Sequence, residues 1–539
     1  MLMAPKEIHS HVQLLGRLMA GLCLLLAGCG ENQPVPETSP QAEIMYHVFQ
    51  RSFYDSNGDG HGDLKGMTQK LDYLEDLGVN ALLLLPLYES EYYHNYFASD
   101  FESIDKEYGT KEDYFNLVHE AHKRGMKIYM DMETQYVTED HAWWKESYGK
   151  PASPYTDYIV YNDSANLKPE SIIFDITELP GYDGTKKKVA TVKLHSPKVQ
   201  EYNYNLFKYW VDPNGDGNFE DGVDGFRLDH CMDNLDWKNK FTNLFDTLWR
   251  PLIARLKQVN PKLVIMAEQA EWASWGMEYY EKAGVDRVFA FRLRGAITSM
   301  DKNNIATVAD STFIMTPPGK SQIVFIENHD MERFATAVNQ HPGKQRAGAA
   351  LSLLLGGTPS IYYGQELGMT GRGGFNAFGN TDGNDIPRRE AFEWYKADTG
   401  QGLSVWYKNS GPWWDQRNNK PNDGISYEEE KNDPNSLWNF YRQMIGVKKK
   451  YGVLTNGKYK TLANNNDHVI SFLRYEGNDA VIIAVNLSDS AQQTVIDLNT
   501  SPVKSNTAEN VYGNEKPAIQ NNAMSVSLAG YGVQVWKMH

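Results

Sequence analysis

Gly225-Phe226-Arg227-Leu228-Asp229 is a short apolar run that ends in an acid, and runs of this kind decide the fold of the chain. Seven similar runs occur after residue 42, over residues 44–49, 81–85, 127–132, 263–267, 287–291, 323–326 and 360–363. Amphipathic stretches with helical spacing lie between most of them, as over residues 71–78, 111–124 and 238–258. Buried strands that alternate with helices predict a parallel sheet, and eight such units predict a closed (β/α)8 TIM barrel.

Two segments depart from this alternation. Residues 133–224 separate the third run from the fourth, which is far more chain than one strand-helix connection needs. This Tyr-, Asp-, Pro- and Lys-rich segment predicts a small inserted domain after the third strand. Beyond residue 455 the apolar positions alternate, as over residues 468–475 and 480–485, and this pattern predicts a C-terminal antiparallel β-sandwich.

The N-terminal residues resemble a targeting segment. An apolar run over residues 18–26 follows Lys6 and Arg17, and it is too short to span a bilayer. The run ends in Leu26-Ala27-Gly28-Cys29, which resembles a bacterial lipobox. We expect cleavage before Cys29 and lipidation of its thiol; the alternative is an ordinary secretory signal followed by a chance cysteine. The polar, Pro-rich residues that follow are typical of a tether.

The predicted organisation follows from these boundaries. It comprises a lipoprotein signal peptide (residues 1–28), a tether (29–42), a first part of the barrel (43–135), an inserted domain (136–200), a second part of the barrel (201–454) and a C-terminal β-sandwich (455–539). We expect a lipid-anchored protein of the bacterial envelope, on the outer membrane or the cell surface, with the periplasmic face as an alternative. Cys231 would be the one free thiol of the mature chain, so no internal disulfide is expected.

The composition restricts the partners. The formal net charge of -16 repels nucleic acid and anionic lipid headgroups, so we expect no nucleic-acid ligand and membrane contact through the lipid alone. The chain has 13 Trp and 32 Tyr, which indicates either large cores or a groove whose rings stack on sugars. We expect a monomer.

Three acids follow predicted strands, at the end where barrels place their catalytic groups. Asp229 ends the fourth run, Glu268 the fifth and Asp330 the seventh. Glycoside hydrolysis with retention needs a carboxylate and a carboxylic acid about 5–5.5 Å apart, which neighbouring strands could supply. Arg227 shares a strand face with Asp229 and would keep it ionised. Loop ion pairs are the alternative for any single acid, but three acids with Arg and His companions disfavour that interpretation.

These motifs resemble those of the α-amylase family of glycoside hydrolases, in which bacterial lipoprotein α-amylases and neopullulanases are found. The resemblance covers residues 46–454 and the sandwich, and it includes residues 55–66, 77–79, 225–229, 267–268, 328–330 and 357–364. It implies that Asp229 is the nucleophile, Glu268 the acid/base and Asp330 a ligand of sugar hydroxyls. Arg227 and His329 would support the scissile sugar.

The resemblance also implies further substrate contacts. Tyr96 and Phe97 stand in the loop after the second strand that lines the cleavage subsite, with a buried core pair as the alternative. Arg389 lies where family members bring an arginine to the substrate, with a surface ion pair as the alternative. An aromatic residue at position 97 favours an amylase over a glucosidase.

Two stretches depart from the family pattern. The third strand usually continues as Asp, three residues and Asn-His, whereas this chain reads Asp131-Met132-Glu133-Thr134-Gln135-Tyr136. The family's calcium between barrel and inserted domain is therefore in doubt, and Tyr136 is expected to offer its hydroxyl to a modified subsite. His230 stands after the nucleophile in place of a common Lys-His pair, so acceptor-side specificity is open.

A Gly-rich loop early in the barrel is the better candidate for calcium. Asp55, Asn57, Asp59 and Asp63, with the carbonyl of His61, offer oxygens at alternate positions, which suits a hard cation. A solvated loop rich in Asp and Asn is the alternative. Residues 212–217 have a similar but less complete pattern, and the sequence leaves that second site open.

The leading hypothesis is therefore retaining hydrolysis of α-1,4-glucosidic bonds in starch or maltodextrins. A transglycosylase, a pullulan-degrading or debranching enzyme and a trehalose-forming enzyme share the three acids and stay open. A non-catalytic glucan-binding barrel would lack the acids, which this chain retains. A metal-dependent hydrolase is disfavoured because the chain has no His-Glu-x-x-His motif.

Overall fold

A computed structural model describes residues 42–374 and 376–539 of the chain. The predicted signal peptide, the lipidation site at Cys29 and almost all of the tether lie outside these residues. Within residues 42–374 and 376–539, no helix is long and apolar enough to cross a membrane.

Eight parallel strands close into a barrel. In chain order these are β1 (Met45–Val48), β2 (Ala81–Leu84), β3 (Lys127–Met132), β4 (Gly225–Leu228), β5 (Val264–Ala267), β6 (Arg287–Phe289), β7 (Ser321–Val324) and β8 (Thr358–Tyr362). Each strand pairs with its neighbours in sequence, and β1 pairs with β8 to complete the ring. The predicted fold class, a (β/α)8 barrel with an inserted domain and a C-terminal sandwich, is confirmed.

The barrel interior is filled by side chains from alternate strand positions, because successive residues of a strand point to opposite faces. Met45, Leu83, Tyr129 and Met266 belong to one inner cluster, separate from the large core beneath the helices. Gly225 starts β4 without a side chain, since a Cβ there would lie 1.9 Å from the carbonyl oxygen of Val264. The next inward positions, nearer the carboxyl ends of the strands, carry polar side chains.

Helices cover the outside of the barrel and connect its strands. The α-helices are Leu64–Gln69, Leu71–Leu77, Lys111–Lys123, Ala142–Ser147, Pro197–Val211, Arg250–Val259, Phe291–Ser299, Lys302–Met315, Phe334–Ala337, Pro342–Leu354, Pro412–Asp415, Tyr427–Glu430, Leu437–Lys450 and Val453–Asn456. Shorter 3-10 turns occur at Gln50–Ser52, Pro154–Asp157, Ile173–Asp175, Phe219–Asp221, Leu235–Trp237, Gln365–Leu367 and Asp382–Arg388, and π turns at Phe245–Trp249 and Tyr279–Ala283.

The loops at the carboxyl end of the barrel contain small antiparallel sheets. After β2, Tyr88–Glu89 pairs with Asp100–Ile104 in an antiparallel hairpin. After β3, a three-stranded antiparallel sheet forms from Tyr136–Thr138, Lys186–Thr191 and Glu178–Pro180. This sheet is the centre of the segment that interrupts the strand-helix alternation, and it lies directly beyond the third barrel strand.

The C-terminal domain consists of two antiparallel sheets. Five strands form the first sheet, Lys458–Thr461, Val469–Glu476, Asp479–Asn486, Val533–Met538 and Ala508–Tyr512, and three form the second, Gln492–Asp497, Ala523–Leu528 and Ala518–Gln520. Ile482 and Trp536 of the first sheet share a buried cluster with Ile496 and Val526 of the second. Alternate residues of both sheets thus fill one core, as expected of a β-sandwich.

Some predicted element bounds were wrong. The helix predicted over residues 238–258 begins only at a π turn at Phe245, because Asp236, Asn239 and Asn243 adopt positive φ angles that a right-handed helix excludes. The seventh strand ends at Val324, so Asp330 lies on the loop beyond the strand rather than at its last residue.

The amino-terminal end of the barrel is held by a partly buried acid, Glu43. The Glu43 carboxylate accepts a hydrogen bond from the Tyr129 hydroxyl (3.0 Å) and pairs with Lys127 (2.7 Å), both on β3. It also pairs with Arg287 at the start of β6. One carboxylate therefore ties the chain entering β1 to two other strands.

We expect Glu43→Gln to lower the free energy of unfolding at pH 7 by up to about 3 kcal/mol. Burial favours a higher pKa for Glu43, but Arg287 and Lys127 outweigh it and lower the pKa from 4.5 to about 2. The stabilisation is therefore complete above pH 4.5 and is lost as the pH falls toward 2. Urea unfolding of both proteins between pH 7 and pH 3 measures this, and a difference that does not shrink at low pH would contradict it.

Candidate active site

The buried guanidinium of Arg227 is the centre of the site, with 1% of the residue exposed. Its Nη1 donates hydrogen bonds to Asp131 Oδ2 (2.5 Å) and Asp229 Oδ1 (2.7 Å), and its Nη2 lies 3.1 Å from Glu268 Oε2. Asp131 and Arg227 are register partners on β3 and β4, and the pairing of β4 with β5 brings Glu268 beside Asp229. Three strand ends therefore converge on one cation.

The two acids at the ends of β4 and β5 have opposite proton affinities. Burial favours a raised pKa for the Asp229 carboxyl, but the Arg227 guanidinium and His230 outweigh it and hold the pKa below its usual range. Burial raises the pKa of Glu268 well above its usual range; Arg227 opposes the increase, while the carboxylate of Asp229 adds to it. These opposite shifts favour the carboxylate form for Asp229 and the carboxylic-acid form for Glu268.

The third predicted acid lies across the barrel mouth. Asp330 Oδ2 is 3.0 Å from His329 Nε2, and Asp330 Oδ1 is 3.2 Å from Arg389 Nη2. Burial favours a raised pKa for Asp330, but His329 and Arg389 outweigh it and keep the pKa below its usual range. Arg389 also donates through Nη1 to the Tyr93 hydroxyl (3.0 Å), so it lies inside the site and not in a surface ion pair.

The loop after β2 contributes two aromatic side chains with different surroundings. The Tyr96 hydroxyl donates to Asp131 Oδ2 (2.8 Å) and lies 2.9 Å from His329 Nε2, and its ring stacks on His329 at 5.5 Å between centroids. Phe97 packs edge-on against Tyr92 and Tyr136 in a small apolar cluster. Tyr96 thus belongs to the polar centre, whereas Phe97 joins the loop to the inserted sheet.

Gln135, one of the departures in the third-strand motif, holds the turn that follows Asp229. Gln135 Nε2 donates to the carbonyl oxygens of Asp229 (2.7 Å) and His230 (3.2 Å), while Gln135 Oε1 accepts from the Thr134 amide (2.8 Å). His230 has a φ of 43°, a left-handed conformation that costs energy in a residue other than glycine. Both polar atoms of Gln135 are therefore engaged by the protein itself.

Tyr136 is buried, and its position differs from that of an open subsite residue. Its hydroxyl donates to the carboxylate of Asp236 and lies 3.5 Å from His230 Nδ1. Only 2% of Tyr136 is exposed. It therefore connects the first inserted strand to the turn after β4.

The proposed calcium loop is tightly hydrogen-bonded. Asp55 accepts from the backbone amides of Asn57 (3.0 Å), Gly58 (2.6 Å) and Gly60 (2.7 Å). Asp63 accepts from the amide of Gly66 (2.7 Å) and caps the helix Leu64–Gln69.

The donor set of this loop is of the oxygen type that calcium takes. Asp59, at the loop tip, has 45% of its side chain exposed, and a His61 ring nitrogen lies 3.4 Å from its carboxylate.

One three-residue group in the described part of the chain brings potential metal ligands together. Single ligand atoms of Glu133, Asp229 and His230 lie within 4.8 Å of one another, a closeness that the carboxylates of the 55–63 loop do not reach. Asp229 already pairs with Arg227, so we interpret this group as a pair of acids beside a histidine.

Several site residues were missed in the sequence. Glu133 is two residues beyond Asp131, so the alternation of β3 could have indicated that it shares the inward face. Tyr93, the partner of Arg389, had no local signal. Trp237 and Trp272 are 54% and 42% exposed on the loops after β4 and β5, and aromatic residues in such polar loops were an available signal.

Comparisons with known proteins agree with this geometry. The alpha amylase catalytic domain family matches residues 47–457, and the maltogenic amylase C-terminal domain family matches residues 459–535. Alpha-amylase 3 of Dictyoglomus thermophilum is 29% identical over 85% of this chain and 86% of its own length. The trehalose synthase/amylase TreS of Mycobacterium tuberculosis is 27% identical over 88% of this chain and 87% of its own. The crystal structure of an alpha-amylase from H. orenii superimposes with a TM-score of 0.76, at 27% identity, over 93% of this chain and all of the other.

The barrel and the paired acids at its carboxyl end define a glycoside hydrolase, an enzyme that acts on carbohydrate. The chain belongs to the alpha-amylase family, whose catalytic domain spans most of its length.

We expect Arg227→Lys to lower kcat/KM on an aryl α-glucoside by about 100-fold or more, because one ammonium cannot hold three carboxylates in the planar geometry of a guanidinium. The acidic limb of the pH profile should also move to higher pH, since the lysine ammonium keeps the charge but not the guanidinium's hydrogen bond to Asp229 Oδ1, so the Asp229 carboxylate is stabilised less. Arg255→Lys is the matched control, because Arg255 pairs with Glu201 at an exposed site. Equal effects of the two substitutions would contradict the role of Arg227.

Proposed function

We propose that this protein hydrolyses α-1,4-glucosidic bonds of starch and maltodextrins by double displacement, with retention of the anomeric configuration. The observation that carries the proposal is the Arg227 guanidinium, which lies 2.7 Å from Asp229 Oδ1 and 3.1 Å from Glu268 Oε2, two acids whose pKa values are shifted in opposite directions. Retaining glycosidases need this combination of a nucleophilic carboxylate and a carboxylic acid. The similarity to an alpha-amylase over most of both chains supports the choice of substrate.

In the first step, the Glu268 carboxyl gives its proton to the glycosidic oxygen, and a carboxylate oxygen of Asp229 attacks the anomeric carbon. The C–O bond to the leaving chain breaks, the leaving chain departs as an alcohol, and a covalent glycosyl ester forms on Asp229. In the second step, the Glu268 carboxylate takes a proton from water, whose oxygen attacks the same carbon and releases Asp229. Two inversions give net retention.

The residues around Asp330 would position the sugar for both steps. Asp330 is ionised and held by His329 and Arg389, so it offers an acceptor for sugar hydroxyls. Tyr96 holds Asp131 and His329 in place. The exposed Trp272, which stacks on Phe291 at 5.0 Å, offers a flat face on which a pyranose could stack.

Product analysis tests the reaction. On soluble starch, wild-type protein should release mixed maltooligosaccharides of initial α configuration, while Asp229→Ala and Glu268→Ala lose at least about 1000-fold in kcat. Azide should rescue the two variants differently with an activated α-glucosyl donor. Azide replaces the nucleophile in Asp229→Ala and gives a β-glucosyl azide, whereas in Glu268→Ala it attacks the ester on Asp229 and gives the α-azide.

Asp246→Asn, on an exposed part of the turn after β4, is the matched control and should behave as the wild type. Glucose as sole product would replace the proposal with an exo-acting glucosidase. Trehalose or rearranged glucans would replace it with a trehalose-forming or transferring enzyme, as the similarity to a trehalose synthase/amylase allows. Binding of starch without turnover of any α-glucoside would reject catalysis altogether.

We also propose that the loop over residues 55–63 holds a structural Ca²⁺ through Asp55, Asn57, Asp59, Asp63 and the carbonyl of His61, and that Cys29 carries a lipid anchor. The calcium would tie this loop to the helix that Asp63 caps. It would stabilise the fold without taking part in the reaction. The anchor would keep the enzyme at the bacterial envelope, near polymeric substrate.

The calcium proposal predicts that 1 Ca²⁺ binds the chelator-treated protein and raises its Tm by roughly 5 °C, since a ligand of the folded state alone stabilises it. Asp59→Ala should abolish most of this increase, because the exposed Asp59 has no other structural role than the loop's own hydrogen bonds. Asp497→Ala, at the end of the sandwich strand Gln492–Asp497, is the control. A Tm increase that is equal in all three proteins would place the cation elsewhere.

A further inference from the structure

A second buried carboxyl faces the nucleophile. Glu133, just beyond β3, is 1% exposed, and its Oε1 accepts a hydrogen bond from the Gln135 amide (2.5 Å). Its Oε2 is buried and has no hydrogen-bond partner. An oxygen of Glu133 and an oxygen of Asp229 lie within 4.8 Å of each other and of a His230 ring nitrogen, and the two carboxyl groups are within hydrogen-bonding reach of each other. Two buried carboxylates at this distance repel strongly unless a proton or a cation lies between them.

The neighbouring cations do not neutralise Glu133. Arg227 is engaged by Asp131, Asp229 and Glu268. Across residues 42–374 and 376–539, His230 is the one basic residue with a side-chain nitrogen within 4.0 Å of the Glu133 carboxyl, and that separation is itself 4.0 Å. This distance is too long for a hydrogen bond. The unpartnered oxygen therefore needs a proton of its own.

We propose that Glu133 is a positioning residue that stays protonated and donates a hydrogen bond from its carboxylic-acid O–H to the Asp229 carboxylate. The proposal rests on the function proposed above, in which Asp229 is the nucleophile. Arg227 holds Oδ1 of Asp229, and Glu133 supplies a second anchor from the β3 side. The nucleophile is thereby kept ionised and oriented without a further positive charge, which would reduce its nucleophilicity.

The charges around the pair favour a neutral Glu133. Burial raises the pKa of Glu133 well above its usual range, and the Asp229 carboxylate adds to the increase. The titratable or charged groups that face Glu133 or Asp229 from the elements packed on them are Tyr88, Asp131, Tyr136, Arg227, His230, Asp236, Glu268 and Asp330. Acids outnumber bases in this set, so a second negative charge beside Asp229 is unfavourable.

Two substitutions separate the proton from the shape of the side chain. Glu133→Gln keeps an acceptor for the Gln135 amide and replaces the acidic O–H with an N–H donor toward Asp229. Glu133→Leu removes the donor. The acidic limb of kcat/KM against pH reports the ionisation of the nucleophile in the free enzyme. We expect Glu133→Gln to leave this limb within about 0.3 pH units of the wild type, and Glu133→Leu to raise it by about one unit or more.

The direction in which Glu133→Gln shifts the acidic limb of kcat/KM distinguishes a protonated Glu133 from an ionised one. If Glu133 were a carboxylate beside a charged His230, its removal would relieve repulsion and the acidic limb of Glu133→Gln would move to lower pH. That shift would overturn the proposal, as would an unchanged limb in Glu133→Leu.

Infrared difference spectra of wild-type protein minus Glu133→Gln at pH 7 provide a readout that does not need turnover. Loss of one protonated-carboxyl carbonyl stretch supports the proposal, whereas loss of a carboxylate band overturns it. The spectra also decide the matter if Glu133→Leu does not fold. Failure of azide rescue in Asp229→Ala would reject the nucleophile assignment and the proposed function, while the spectra would still report the protonation state of Glu133 independently.

Discussion

The burial of one guanidinium is the constraint on which the rest of the site depends. Arg227 cannot remain charged in the barrel interior unless acidic groups surround it, and the carboxyl groups of Asp131, Asp229 and Glu268 supply them from three consecutive strands. Asp229 and Glu268 nevertheless differ in proton affinity, because Asp229 receives a hydrogen bond from this cation while the nearby carboxylates of Asp229 and Asp330 raise the pKa of Glu268. The arrangement of these three acids, their charges and their chemical roles therefore all depend on Arg227.

The turn after the nucleophile shows how the inserted segment contributes to that centre. His230 adopts a left-handed conformation, and strain of this kind persists only where the surroundings hold it. Gln135 binds the carbonyls of Asp229 and His230, and Tyr136 binds Asp236 farther along the same loop. Residues at the start of the inserted segment thus buttress β4, where other members of the family have a different motif at these positions.

The family relationship and the departures from its pattern are compatible for a physical reason. In the proposed mechanism, Asp229, Glu268 and Asp330 perform or support the chemical steps, and the placement of Asp229 and Glu268 depends on the register of the barrel strands. The third-strand residues act on the nucleophile from behind, where an amide or a carboxylic acid could replace other groups provided that buried hydrogen bonds are satisfied.

The sequence by itself determined the barrel, the sandwich and the three acids. Each of these depends on a local pattern, since apolar runs define strands and an acid after such a run lies at a strand end. The predicted start of the helix after β4 was wrong, because Asn and Asp residues with positive φ interrupt an otherwise helical spacing. Only the tertiary structure decided that Glu133 faces Asp229 and that Tyr93 meets Arg389. These contacts join segments far apart in sequence, and they depend on closure of the barrel, which no local pattern records.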